Sequence, residues 1–411
     1  MDVMKRIFIF IVFCFIGMTI SAQDMSYYTR EYMKPEGSFK ERLVILETIS
    51  DAGTTGIGAF YHEALKYLYT RLPDIGNNRD EQEAAERSVI ILCRGLGAEK
   101  HTEAAGDLWQ IADYFDVFNS STNDGNAMQA ALIALGQVNG RDFIPHIVQR
   151  LNEYNSQTFS NAETRRRYQT AVVGCVNALE NFQDITGFRP VFFVSVGRYD
   201  APIRQIASDA LPNIADDPGE IISVIIQDPS NNPHVKFEAW NQMLKTRAPD
   251  SSKAKAAAVA LATGWSFSTS DRNMQERLRD MRKSAIDTIR LYGVTDNSVY
   301  PNLERSYLTN FNNITTDYDE IMLTLNALGA IGSDEAVGLL LRFLRELHSR
   351  RITGPWGNKE RRIFEWVLSC IGTTGTSSSD VRLLLVTIQN TDNYTSQEKI
   401  WAKNTSNALG F

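Results

Sequence analysis

Chemistry needs titratable or nucleophilic side chains in one place, so the five histidines come first: His62, His101, His146, His234 and His348. None lies in an H-E-x-x-H, the helical spacing that sets two imidazoles on one zinc ion beside a carboxylate base. His62-Glu63 falls on an expected helix, but Lys66 stands where the second histidine would be. No histidine has a carboxylate cluster around it in the chain, so the expectation is no metal site and no cofactor. Gly53, Gly56 and Gly58 precede a helix without a preceding strand or a Walker lysine, which reads as a turn and not a phosphate cradle. No G-x-S-x-G elbow occurs. With no catalytic residue indicated, the expectation is a protein that is not an enzyme.

Two groups of cations offer binding chemistry instead. Arg165-Arg166-Arg167 opens one helix. Near the C-terminus His348, Arg350, Arg351, Lys359, Arg361 and Arg362 surround the loop Gly354-Pro355-Trp356-Gly357. Grouped cations beside an exposed aromatic fit an acidic protein surface, a glycan or an anionic polymer. The candidate binding residues are therefore Arg350, Arg351, Trp356, Lys359, Arg361 and Arg362. The competing reading is a set of basic residues at solvated helix ends, where they offset the carbonyl pole.

The formal net charge of −7 repels phosphate backbones on average, which argues against nucleic acid as a partner. A hydrophobic content of 43% is too high for a disordered chain. Cys93, Cys175 and Cys370 are an odd number at wide spacing, each in an apolar helical stretch, so they read as buried thiols rather than a disulfide framework.

The first residues bear on compartment. Lys5 and Arg6 precede an unbroken apolar run from Ile7 to Ile16, and Gly17 to Ala22 turns small and weakly polar. This is the order of a secretory signal, with cleavage expected after Ala22. The run is about half the roughly 20 apolar residues of a stable membrane span. Cys14 follows Val12 and Phe13 rather than a small residue, which disfavours a lipid anchor. The expectation is an exported chain, periplasmic or secreted, with no integral membrane segment once the signal is removed. Residues 23–39, with Tyr27, Tyr28 and Tyr32, read as a tether or as a cap on the first hairpin.

The elements that must position any site come from an internal repeat. Met128, Leu132, Leu135 and Val138 mark one helical face, Asn139-Gly140-Arg141-Asp142 a turn, and Phe143, Ile144, Ile147, Val148 and Leu151 a second face. The layout recurs 193 residues later at Ile321, Leu325, Leu328 and Ile331, then Gly332-Ser333-Asp334, then Ala336, Val337, Leu340, Leu341 and Leu344. The triplet Ala134-Leu135-Gly136 returns as Ala327-Leu328-Gly329. Pro202-Ile203-Arg204 before Ala207 and Ala210-Leu211, and Pro233-His234-Val235-Lys236 before Ala239 and Met243, are degenerate copies in which proline opens a helix. Anchors at Leu96, Leu135, Leu179, Leu211, Met243, Leu291, Leu328, Ile371 and Leu409 stand 32 to 48 residues apart, the period of two-helix solenoids.

These segments resemble HEAT repeats, particularly the PBS-lyase type with a P-x-V-R-x-x-A-x-x-A-L-G helix. The resemblance covers most of residues 40–411, with glycine replaced at Glu180 and Pro212 and a long unit containing Trp265 to Ser270 expected to loop out. It implies an all-α superhelix: a right-handed stack of about nine helical hairpins. Metal enzymes of this type carry paired His-Glu motifs, of which this chain has one. The resemblance further implies a non-catalytic interaction or scaffolding solenoid of the cell envelope, with a protein partner on the concave face. A glycan- or peptidoglycan-binding protein and a lyase-type enzyme module are the alternatives.

Overall fold

The computed structural model describes residues 22–76, 78–119, 123–159, 161–313, 316–354, 356–376 and 378–411. The expected signal region up to residue 21, with Cys14, lies outside the described residues, as does Pro355. Every regular element among the described residues is helical. The chain divides into two compact units, Met1–Ala215 and Asp216–Phe411.

The first unit contains α1 (Ala22–Tyr32), α2 (Phe39–Asp51), α3 (Gly58–Arg71), α4 (Arg79–Glu99), α5 (Ala105–Tyr114), α6 (Asn126–Gln137), α7 (Ile144–Ser156), α8 (Ala162–Phe182), α9 (Phe188–Val196) and α10 (Ala201–Ile214). Helices two apart in sequence are neighbours in space. One layer runs α2, α4, α6, α8, α10, and the other runs α3 to α5 and α7 to α9. The second unit repeats the plan with α11 (Gly219–Gln227), α12 (Pro233–Lys245), α13 (Asp250–Ser266), α14 (Arg272–Tyr292), α15 (Val299–Asn312), α16 (Tyr318–Ile331), α17 (Asp334–Thr353), α18 (Asn358–Thr373), α19 (Ser379–Asn390) and α20 (Ser396–Ala408). Its layers run α12, α14, α16, α18, α20 and α11, α13, α15, α17, α19. This is the stacked-hairpin arrangement of a HEAT-like solenoid. A hairpin has one apolar stripe and must bury it on the next.

Local sequence starts and stops these helices where the repeat needs them. Asn78, Asn161, Asn232, Asp317, Ser333 and Ser378 each accept a backbone N–H from the first turn of the helix they precede, and Ser38 and Thr395 complete capping boxes with Glu41 and Glu398. Gly332, at φ 62°, ends α16 in the left-handed region that glycine enters without a Cβ penalty. The matched triplet glycines mark close approach between successive helices of one layer: a Cβ on Gly136 would sit 3.0 Å from the Ala178 Cα, and one on Gly329 would sit 2.8 Å from the Thr373 Oγ1.

Of the nine anchor positions, eight are buried, but Leu291 is 58% exposed. It lies in the last turn of α14, where the inward residues are Ile286 and Ile289, so the long unit's anchor is Ile289. Pro212 falls two residues before the end of α10. Of the loop expected from Trp265 to Ser270, Trp265 and Ser266 are instead the last residues of α13, with the Trp265 indole N–H donating to Ser306, and only residues 267–271 connect α13 to α14 without helix. Cys93, Cys175 and Cys370 are free and buried. In α1, Tyr32 is buried with its ring edge-on to Phe60 and Tyr67.

Cations recur in one structural role. Arg42 is buried and donates to the carbonyls of Tyr32 (3.1 Å) and Lys34 (2.7 Å) at the end of α1. Lys236 is 1% exposed and gives Nζ hydrogens to the carbonyls of Ile226 and Asp228, both at 2.6 Å, at the end of α11. Arg141 donates to the Phe182 carbonyl at the end of α8. The last carbonyls of a helix have no intrahelical partner, and a cation also favours that pole of the helix dipole.

Candidate functional site

Of the C-terminal cations Lys359 plays the same role, and the others pair with carboxylates or lie over aromatic rings. Glu398, 1% exposed in the first turn of α20, is a hub. Its carboxylate accepts Arg351 Nη2 at 3.2 Å, Trp356 Nε1 at 3.1 Å and the Thr395 backbone N–H at 2.8 Å, with Arg361 Nε at 3.9 Å. Trp356 is half-buried rather than the exposed aromatic the sequence led us to expect. Its ring is edge-on to Phe364 and Tyr394, with the Arg351 guanidinium 5.1 Å from its centroid. Arg350 pairs with Glu346 (2.8 Å) and donates to Asn312 (3.0 Å), lying over Phe311. Lys359 caps α15 by donating to the Phe311 carbonyl. Arg361 lies over Trp401 and Arg362 over Trp366 and Tyr318. His348 Nδ1 is 2.9 Å from the Tyr394 hydroxyl, and burial lowers its pKa. Each of the six candidate residues is thus engaged by neighbouring helices of its own unit.

The Arg165–Arg167 triplet in α8 disperses in three directions. Arg165 reaches Asp200 at 3.8 Å, and Arg167 donates to the carbonyls of Asn123 and Val117. Arg166 lines a cleft of about 1340 Å³ formed by the ends of α3 to α6 and the start of α8. The cleft is rich in carboxyl groups: Glu83, Glu86, Asp113, Asp124 and Glu163. Arg79 there is tied to Glu83 at 2.9 Å. Glu86 is the unusual member. Burial, and then the adjoining Asp124 carboxylate with which it shares a hydrogen bond, push its pKa up to about 8. Asp124 is held by the Asn126 backbone N–H at 2.8 Å. Two carboxyl groups in contact cannot both ionise cheaply, and Glu86 keeps its proton at neutral pH.

A second cluster contradicts the expectation that the histidines are isolated. His62, buried on α3, places Nε2 2.7 Å from Asp107 Oδ2. His101 Nε2 lies 3.3 Å from His62 Nδ1, the rings edge-on at 5.1 Å between centroids. Glu103 Oε2 lies 3.9 Å from His101 Nε2. Lys100, at φ 51°, ends α4 in the left-handed region, and the His101 N–H closes back on the Leu96 carbonyl at 3.1 Å. That turn swings His101 towards α3. Gly58 leaves it room, because a Cβ there would sit 3.0 Å from His101 Nδ1. A short 3-10 turn, Thr102–Ala104, presents Glu103, and the first turn of α5 presents Asp107. His62 and His101 are 39 residues apart, one repeat period, which was the signal in the sequence that they belong to adjoining hairpins.

No protein-family model and no curated protein matches the chain. Among solved structures it is similar to human deoxyhypusine hydroxylase in complex with glycerol, at 14% identity and a TM-score of 0.24, the match covering 85% of this chain and 96% of that one. The solved structure is that of an enzyme by its own name, so the expectation that this chain is not an enzyme is corrected and plays no further part. No helix among the described residues is long and apolar enough to cross a membrane.

Proposed function

We propose that the protein is an interaction solenoid of the cell envelope that holds a basic, extended segment of a protein partner in the cleft of its first unit. The cleft carries this reading: its volume of about 1340 Å³ suits a stretch of chain rather than one side chain, and carboxyl groups outnumber cations along it. An entering ammonium or guanidinium would displace the proton of Glu86 and form charge-assisted hydrogen bonds in its place. Export rests on the n-, h- and c-region order of Lys5 to Ala22.

The test is capture from an envelope extract by the full chain, with chemical cross-linking to locate the partner. The expected result is one stoichiometric protein, cross-linked beside the cleft and lost when Glu86→Gln and Asp124→Asn are combined. Equal capture by the double variant refutes the cleft as the binding surface. N-terminal sequencing of chain recovered from the envelope should begin after Ala22; intact chain confined to the cytoplasm refutes export.

A further inference from the structure

We propose that His62 Nδ1, His101 Nε2 and the Glu103 carboxylate form a site for one divalent transition-metal ion of the zinc type, with Asp107 as the outer-shell partner that orients His62. One ligand atom from each of the three residues lies within 4.8 Å of the other two, with His101 Nε2 at 3.3 Å from His62 Nδ1 and at 3.9 Å from Glu103 Oε2.

The tautomers are set by the contacts. Asp107 can only accept, so His62 Nε2 carries the hydrogen and donates it across 2.7 Å. His62 Nδ1 is then a bare lone pair, and it faces His101 Nε2. Carboxylate, imidazole and metal in line is the usual outer-shell arrangement for a histidine ligand, in which the second ring nitrogen is pinned by an acceptor.

The spacing matches a small tetrahedral ion. With metal–nitrogen bonds of about 2.0–2.1 Å at a tetrahedral angle, two imidazole nitrogens stand roughly 3.3–3.4 Å apart. The observed separation is 3.3 Å. Octahedral geometry at the same bond length would bring them to about 2.9 Å. Two imidazoles with one carboxylate also suit zinc, cobalt, nickel or copper, whereas magnesium and calcium prefer oxygen ligands throughout.

Access and rigidity are divided between the ligands. The His62 side chain is 8% exposed and held on both nitrogens. That of His101 is 22% exposed and that of Glu103 is 82% exposed. An ion can therefore enter from solvent, Glu103 can close on it by a side-chain rotation, and water can complete the shell. Three protein ligands and one open position is the pattern of zinc sites that bind a further molecule, in contrast to closed structural sites.

The experiment uses the full chain, stripped with a chelator and dialysed against zinc(II) or cobalt(II), with bound metal measured by elemental analysis and tetrahedral coordination by the cobalt absorption spectrum. One equivalent is expected in the wild type. His101→Gln and Glu103→Gln lie at a turn and on the surface, so they should keep the helical circular dichroism while His101→Gln abolishes the stoichiometric binding. Asp107→Asn should weaken it by about tenfold or more. Zinc should raise the melting temperature of the wild type and not of His101→Gln. Absence of a stoichiometric ion in the wild type, or undiminished binding in His101→Gln, overturns the site.

Discussion

Replacing Glu398 by alanine removes the anchor of the C-terminal cation cluster, and its cost can be worked from the contacts. The variant frees the Trp356 indole N–H and the Thr395 backbone N–H and leaves the Arg351 guanidinium, 19% exposed, without its 3.2 Å carboxylate partner. Breaking a buried ion pair from one side costs about 3–5 kcal/mol, because the remaining charge stays desolvated. Partial water access to Arg351 places this case at the lower end, about 3 kcal/mol, and loss of the capping box adds about 1 kcal/mol. Since each 1.4 kcal/mol is tenfold, protected amides of α20 should exchange with deuterium more than about a hundredfold faster than in the wild type. Glu398→Gln keeps an acceptor for Trp356 and should cost less than half as much. Combined with Arg351→Met it should show a coupling of at least about 0.5 kcal/mol, because the two substitutions remove the same interaction. Exchange in α20 changed by less than about threefold, or strictly additive effects in the pair, would refute the assignment of these cations to structure.

Two further outcomes concern titratable groups. Glu86 has a raised folded-state pKa, so its protonated form stabilises the fold; that contribution is complete below the ordinary value of 4.5 and is lost as pH rises through about 8. Thermal melts of the wild type should therefore lose roughly 1–2 kcal/mol of stability between about pH 5 and pH 9, after allowance for solvent screening of a half-buried pair, while Glu86→Gln should stay flat over that interval. Lys236→Met removes both donors from the carbonyls of Ile226 and Asp228 while keeping the apolar stem, and urea unfolding should show the second unit weakened by about 1–3 kcal/mol; an unchanged midpoint would dismiss the clamp.

The fold was legible in the sequence because helical burial is periodic. Leu135 and Leu328 are buried where their spacing placed them, and Pro233 opens a helix. Leu291 was misplaced because a helix's final turn carries apolar residues on both faces, and which face is inward depends on the neighbour packed against it. The cations near Trp356 read as a binding cluster because adjacency in sequence showed their number and hid their partners. Glu398 lies 42 residues beyond Trp356 and comes to it only through the stacking of α18 and α20.

By itself the sequence determined the helical class, the hairpin repeat, the buried free cysteines and the positions of most turns, since these depend on local periodicity, capping and short-range sterics. Only the tertiary structure decided which polar groups meet. His62, His101, Glu103 and Asp107 are brought together by the left-handed turn at Lys100 and the stacking of α3 on α5, and Glu86 meets Asp124 across two hairpins. A repeat period says which hairpins adjoin, whereas hydrogen bonds and pKa shifts depend on ångström-scale placement of side chains from different hairpins, which no pattern along one chain encodes.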